Sequence, residues 1–456
     1  MADRIITIQQ IFAEGAALLH AGHPAEALIR FQAVRDRDPS SEILHLHIGA
    51  TLHELGRYEE AVASYRQAVE IAPRAGEIHN NLGNSLMALG RFSEAVDSFS
   101  RSSELLKQSP IPVTARATAL QALGRIAEAE HDCRRALLLD PSFAAAHWNL
   151  ALNILLQGRY TEGWQEYEWR WLKPDFTSPC RHVDVSLWDG SPLGGRTILL
   201  HAEQGFGDAI QFVRYATLVA HRGGRVIIEC HPQLVQLMRT VEGVHEVVPF
   251  GAHLPSFSCQ APLLSLPRIF GTTLQTIPAR FPYVAVTAEQ RRKWAALMPD
   301  GMQTLRVGLV WAGKQYPDPL RSCPFNELMP LTTIQNVSCY SLQIGPAGAV
   351  PASGSTVIDL TEQINDFTDT AALIEQLDLV ISIDTAVAHL AGALGKPVFL
   401  MLPFAPDWRW LLERADSPWY PNTRLFRQIV PGMWGDVVNR VHAALKEHAE
   451  RNKKIL

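Results

Sequence analysis

Five glycines, Gly22, Gly56, Gly90, Gly124 and Gly158, stand 34 residues apart without a slip. Around each the same pattern returns. Small residues precede it at Gly15, Gly49, Gly83, Ala117 and Ala151, and others follow at Ala27, Ala61, Ala95, Ala129 and Gly163. A bulkier position comes next, at Phe31, Tyr65, Phe99, Cys133 and Tyr167. Pro39, Pro73 and Pro141 stand where a helix must end, because proline lacks the N–H that would continue it. Each unit therefore reads as helix, glycine turn, helix. Small residues let the two helices approach, and the bulky residue is expected to fill the gap to the neighbouring unit. Units of this kind stack into a curved solenoid.

The period and pattern resemble the tetratricopeptide repeat, from about Ile8 to Trp171. A solenoid of this sort has a concave face suited to extended peptides or partner helices. Polar residues of the first helices should line it, among them His45, His47, His147, Asn80, Asn81, Asn84, Asn149 and Asn153. Amide side chains both donate to and accept from a peptide backbone, so the recurring asparagines mark a candidate peptide groove. A solvated helix face is the alternative for any single one. The last unit, GRYTEGWQEYEWRWLKP, carries an aromatic second helix, which predicts packing on the domain that follows.

A chain of 456 residues suggests two to four domains, and its 47% apolar and 19% charged content is that of globular proteins. The net charge of −5 gives no electrostatic case for nucleic acid or an anionic membrane. The six cysteines are scattered, with no C-x-x-C pair, which argues against zinc and against a disulfide framework. That usage fits a reducing cytosol. MADRIITIQQIFAEG lacks the apolar core of a signal peptide, and no run of about 18 apolar residues suggests a membrane span. The expectation is a soluble, cytoplasmic protein.

Beyond a connector over Asp175–Arg196, strands and helices alternate, which means parallel sheets covered on both faces. Thr197–His201 reads as a strand, followed by the loop Gly205-Phe-Gly207, Asp208 and a helix over Ala209–His221. Gly205-Phe-Gly207 is no dinucleotide fingerprint, since Ile210 stands where the third glycine belongs. Asp208 is placed either to act as a general base or to cap that helix. Strands at Arg225–Glu229 and Glu246–Pro249 follow, and Arg306–Trp311 restarts the pattern with Lys314 and Arg321 on its loop, either phosphate ligands or solvated charges. Leu379–Ile383, a helix over Thr385–Leu394 and Val398–Leu402 form a βαβ unit. Asp384 sits where an N-cap would, His389 lies one turn in, and the free N–H groups of that helix start suit a phosphate. The bland reading of this pair is a cap and a satisfied core histidine. Two α/β domains in tandem predict a ligand cleft between them.

HAEQGFGDAIQFVRY, VGLVWAGK followed by Arg321-Ser322, and DTAVAHLAGALGKPVFLMLPFAPDWRW are similar to motifs of bacterial tetratricopeptide-repeat glycosyltransferases, flagellin glycosyltransferases among them. Their transferase half is similar to the lipopolysaccharide heptosyltransferases. The resemblance implies an α + α/β chain: a tetratricopeptide-repeat α-solenoid over 8–172, a connector over 173–196, and a GT-B type pair of Rossmann-like domains over 197–300 (acceptor side) and 301–448 (nucleotide-sugar side). It makes Asp208 the general base, puts Asp384, Thr385, His389, Gly205 and Gly207 at donor sugar and phosphates, and gives Lys314 and Arg321 the diphosphate. Gln204, Trp311 and Trp408 become candidate nucleotide or sugar contacts. No metal is expected, in keeping with the absence of an Asp-x-Asp motif from this half; Asp36-Arg-Asp38 lies in the repeats. The implied reaction is inverting transfer from a nucleotide-sugar to Ser or Thr of a protein held by the solenoid, flagellin being one such acceptor, since a fused array concentrates its captive at the cleft. The alternatives are a glycan or lipid glycosyltransferase whose repeats serve localisation, and a non-catalytic scaffold with a degenerate transferase domain. The compact Thr197–Tyr283 half, and DTAVAH where a glycine often follows Asp-Thr, depart from the heptosyltransferases, so donor identity does not carry over.

Overall fold

The structure is a computed structural model describing residues 7–299, 304–313, 319–345 and 356–453. It divides into two compact units, Met1–Asn153 and Ile154–Leu456.

The first unit is a tetratricopeptide-repeat α-solenoid of helix pairs: Ile8–His20 with Pro24–Arg35, Glu42–Glu54 with Tyr58–Ile71, Gly76–Ala88 with Phe92–Leu105, and Pro110–Ala122 with Ile126–Leu139. At each turn the repeating glycine takes a left-handed φ of +71° to +79° that only glycine adopts without cost. The next residue's N–H then reaches back to a carbonyl of the finished helix, as from Arg57 to Leu52 and from Arg91 to Leu86, both 2.9 Å. The small residues ahead of the turn are demanded by contact. A Cβ added at Gly15, Gly49 or Gly83 would stand 2.8, 2.7 or 2.5 Å from the ring of Phe31, Tyr65 or Phe99. These rings therefore close their own helix pair, and Phe31 also reaches into the gap to the next one that the sequence had suggested, its ring 5.5 Å from that of His47.

The second unit holds two parallel sheets. In the first, β1 (Thr197–His201), β2 (Arg225–Cys230), β3 (Val244–Pro249) and β4 (Cys259–Pro262) lie in the order β3-β2-β1-β4. In the second, β5 (Leu305–Val310), β6 (Val337–Ser341), β7 (Ile358–Asp359), β8 (Leu379–Ile383), β9 (Val398–Leu402) and β10 (Thr423–Arg427) lie in the order β10-β9-β8-β5-β6-β7. Every pairing is parallel. Direction of progression reverses between β1 and β4 and between β5 and β8, and ligands of such sheets bind beyond the strand ends at those reversals. Strand β4, Cys-Gln-Ala-Pro, escapes the sequence reading because it lacks the β-branched run that marked the others.

Tyr160, Trp164 and Tyr167 of the helix Tyr160–Tyr167 are buried, as the aromatic composition of that helix implies. Trp164 donates to the Thr272 carbonyl at 2.9 Å, and the Trp419 indole donates to the Tyr160 hydroxyl at 2.9 Å. The C-terminal helix Trp434–Lys453 lays Val437, Val438, Val441 and Leu445 on the second sheet. Among the described residues no helix is long and apolar enough to cross a membrane.

Candidate functional site

The helix after β1 begins earlier than the sequence suggests, spanning Phe206–Phe212 before tightening into Val213–Tyr215. Asp208 explains the early start, because its Oδ2 accepts the Gly205 N–H at 2.9 Å and so caps the first turn. Its Oδ1 accepts from Arg409 Nη2. Asp208 thus combines the capping role with an ion pair, and its carboxylate is mostly buried. Burial pushes the Asp208 carboxyl above the usual range, against the pull of Arg409 and the Gly205 N–H.

On the other sheet, β8 delivers the helix Ala386–Ala393, whose N-cap is Thr385 and not Asp384 as the sequence suggests. The Thr385 side chain makes no capping bond and instead pairs with the Ser382 hydroxyl at 3.1 Å. Gly395, at φ +73°, closes the far end. Asp384 lies with its Oδ1 3.7 Å from His389 Nε2, while His389 Nδ1 bonds the Tyr420 hydroxyl at 2.8 Å and its ring stacks on Trp410. Burial first, then the charges of Arg409 and Arg214, holds His389 well below the imidazole range, so it is neutral at pH 7. Burial first, then the Asp407 carboxylate, raises Asp384 to about 6, opposed by Trp410, Arg409 and Arg321.

The two helix starts touch. A Cβ at Gly207 would come within 2.8 Å of His389 Cδ2 and 3.5 Å of Ala386 Cα, so the backbones meet where an open gap was expected. Arg409, from the turn Trp408–Trp410 after β9, bridges the meeting point. It donates through Nη1 to Asp407 at 2.8 Å and through Nε to Gln211 Oε1 at 2.6 Å, besides Asp208. Two cavities lie elsewhere: one of about 390 Å³ against Arg214, His221 and Tyr283, and one of about 280 Å³ against Tyr160 and Leu274.

The remaining candidates divide. Arg321 ends the turn Pro319–Arg321, with its guanidinium against Gly313 and its charge felt at Asp384. Lys314 lies outside the described residues. Gln204, at φ +57°, donates its N–H to Ser178 Oγ at 2.7 Å. Trp311 is buried against Phe325, and Trp408, 3% exposed, sits among Tyr160, Trp164 and Trp419, so neither ring offers a face to a ligand. Arg409, Asp407, Gln211 and Tyr420 were missed. The run Asp407-Trp-Arg409 in the segment following β9 was the available signal.

In the solenoid, Asn149 donates to Thr118 Oγ1 at 2.9 Å and Asn153 to the Asn149 carbonyl at 2.8 Å. Asn80 and Asn81 are half-buried and Asn84 is exposed. His45, His79 and His147 bond the carbonyls of Pro39, Pro73 and Pro141 at 2.8, 3.1 and 3.0 Å, each tying the loop after one repeat to the first helix of the next. The fourth repeat has neither partner, with Lys107 and Val113 at those positions. His47 bonds the Ile43 carbonyl at 2.8 Å. Each of these histidines is thus bonded to a nearby backbone carbonyl.

Residues 49–90 match the TPR repeat and residues 114–172 the tetratricopeptide repeat. Residues 364–401 match glycosyltransferase family 9 (heptosyltransferase), a stretch running from just before the helix Phe367–Glu375 through β8 and the Asp384–His389 segment into β9. Protein FlbA of Caulobacter vibrioides is 28% identical over 70% of this chain, and the chain spans 58% of that relative's length. Among solved structures, MamA of Desulfovibrio magneticus RS-1 is 16% identical, covering 36% of this chain and 90% of its own with a TM-score of 0.33. For pilF of Pseudomonas aeruginosa the values are 19%, 36%, 74% and 0.33. Among the described residues, no group of three or more His, Cys, Asp or Glu is placed to hold a metal ion.

Replacing Asp384 by asparagine should stabilise the protein at pH 7.5 by about 2–3 kcal/mol. With a folded value of about 6 against 3.8 for the free side chain, the folded state holds the extra proton between those values. Wild-type stability therefore falls as pH rises through that window, and Asp384→Asn removes the loss. Thermal melts of both proteins from pH 5 to 7.5 check this: their difference should widen with pH, and a constant difference would contradict a buried, charged Asp384.

Proposed function

We propose that the second unit is a glycosyltransferase of the GT-B type, with two Rossmann-like sheets and a nucleotide-sugar donor held where their strand ends meet. One coincidence carries the reading. The stretch matched to glycosyltransferase family 9 (heptosyltransferase) is the segment that puts Asp384, Thr385 and His389 at a strand-order reversal, against the helix bearing Asp208. In this reading the acceptor hydroxyl oxygen bonds to the anomeric carbon as the bond from that carbon to the phosphate oxygen breaks. The electron pair leaves with the nucleoside diphosphate, Asp208 takes the hydroxyl proton, and the helix start and Arg321 stabilise the growing phosphate charge. Attack opposite the leaving group inverts the anomeric centre. Neutral His389 adds no positive charge and serves as a hydrogen-bonding wall.

For the acceptor, a saccharide hydroxyl on a glycan or lipid is favoured over Ser or Thr of a protein such as flagellin. The matched family is named for heptosyl transfer, and Asn149 and Asn153 are bonded within the solenoid. The repeats then localise the enzyme. The packing at Gly207, with both Asp208 oxygens engaged, favours a second reading, a scaffold without turnover. Incubating the full chain with UDP-, ADP- and GDP-sugars separates the two. The transferase reading expects one donor class to bind and be slowly hydrolysed, while no binding to any donor would leave the scaffold. Sugar-modified proteins that disappear with the chain, sought by mass spectrometry, would restore the protein acceptor.

A further inference from the structure

Arg409 is 7% exposed, and its three contacts come from both sides of the meeting point. Asp208 and Gln211 belong to the helix after β1, and Asp407 to its own turn. Its guanidinium also lies 4.4 Å over the Trp408 ring, which fixes the plane of the fork. Asp208 and Asp407 share this one guanidinium, and Asp384 feels Asp407, Arg409 and Arg321.

The unmet hydrogen-bonding capacity at the same spot has the opposite character. Gln211 is fully buried, and its orientation is set because Oε1 accepts from Arg409 Nε, yet its Nε2 finds no acceptor. The Trp410 indole N–H, also buried, is turned to Asp384, whose carboxyl it helps to hold down. A buried donor left without a partner costs about 1–3 kcal/mol and calls for an explanation. An anionic ligand rich in acceptors supplies one. A diphosphate would give Gln211 Nε2 its acceptor and compete for the Arg409 fork, which fits phosphate oxygens bidentately.

We infer that Arg409, with Gln211 beside it, is a diphosphate ligand that doubles as a latch on Asp208: it holds the carboxylate in the empty protein and releases it when phosphate oxygens take its place. The latch rests on the nucleotide-sugar reading above. It gives Asp208 two states. While Arg409 and the Gly205 N–H occupy both its oxygens, the carboxylate is poorly placed to take a proton. Once Arg409 turns to phosphate, Oδ1 is free to face an acceptor hydroxyl. Proton abstraction then waits on donor binding.

The test uses the full chain and UDP, ADP and GDP as probes. Calorimetry should find one of them bound by the wild type, and Arg409→Gln should weaken that binding about 10- to 100-fold, the loss of a charge-assisted bidentate contact. Arg409→Lys should recover part of the loss, and Gln211→Leu should weaken binding about three- to tenfold, one neutral hydrogen bond. In a crystal structure of the wild type with the bound diphosphate, Arg409 should have left Asp208. If no diphosphate binds the wild type, the nucleotide-sugar reading and the latch fall together. If one binds but Arg409 stays on Asp208, the latch alone falls. The wild-type complex decides even where Arg409→Gln does not fold. Equal affinity of Arg409→Gln, Gln211→Leu and the wild type overturns the latch as well.

Discussion

Asp208→Asn should lower sugar transfer by about 10²- to 10⁴-fold, the range for removing a positioned general base, while diphosphate binding is kept. Asparagine keeps the shape and can still accept the Gly205 N–H bond that Asp208 Oδ2 now takes. It cannot carry away a proton. Arg409 loses one carboxylate but retains Asp407, so the buried cation is not left alone. Single-turnover transfer and calorimetric binding, measured on the same preparation, separate chemistry from fold. Undiminished turnover would remove the base role, and loss of transfer and binding together would make Asp208 a structural cap.

The second large effect concerns stability. Arg170 is fully buried, and its Nε and Nη2 each lie 2.9 Å from an oxygen of Glu203, which is 1% exposed. Nη2 also donates to Ser265 Oγ at 2.8 Å, Nη1 to the Tyr167 carbonyl at 3.1 Å and to Glu168 at 2.9 Å, and the guanidinium lies 4.8 Å over the Trp171 ring. Arg170→Met should cost about 3–5 kcal/mol, because it strands the Glu203 charge in the interior. For a unit of this size that is a fall of roughly 5–8 °C in melting temperature. The double variant Arg170→Met, Glu203→Gln should recover much of the loss, since no buried ion is then left unpaired. A double variant no more stable than the single would mean that Arg170 acts through its packing on Trp171 and not through its charge.

These two residues show where sequence reasoning reaches and where it stops. The 34-residue period, the glycine-centred turns and the small residues where paired helices approach could all be read in advance, because each depends on neighbours within one repeat. The same holds for β8, the helix Ala386–Ala393 and β9, whose apolar runs and closing Gly395 are local signals. Strand β4 could not be read, since a four-residue segment becomes a strand only by lying beside β1. Asp208 was legible as a cap or a base from its place after β1. Its partner was not, because Arg409 lies 201 residues away.

Sequence alone determined most of the helices and strands and which polar residues stand at the strand ends, since backbone propensity, turn chemistry and apolar period act over a few residues. Tertiary structure decided what those residues meet. It brought Gly207 against His389, set Arg409 between Asp208 and Asp407 and turned Trp408 into the core. Those outcomes follow from close packing and from the cost of leaving a buried charge or donor unmatched, and both depend on groups that the chain brings together only once it is folded.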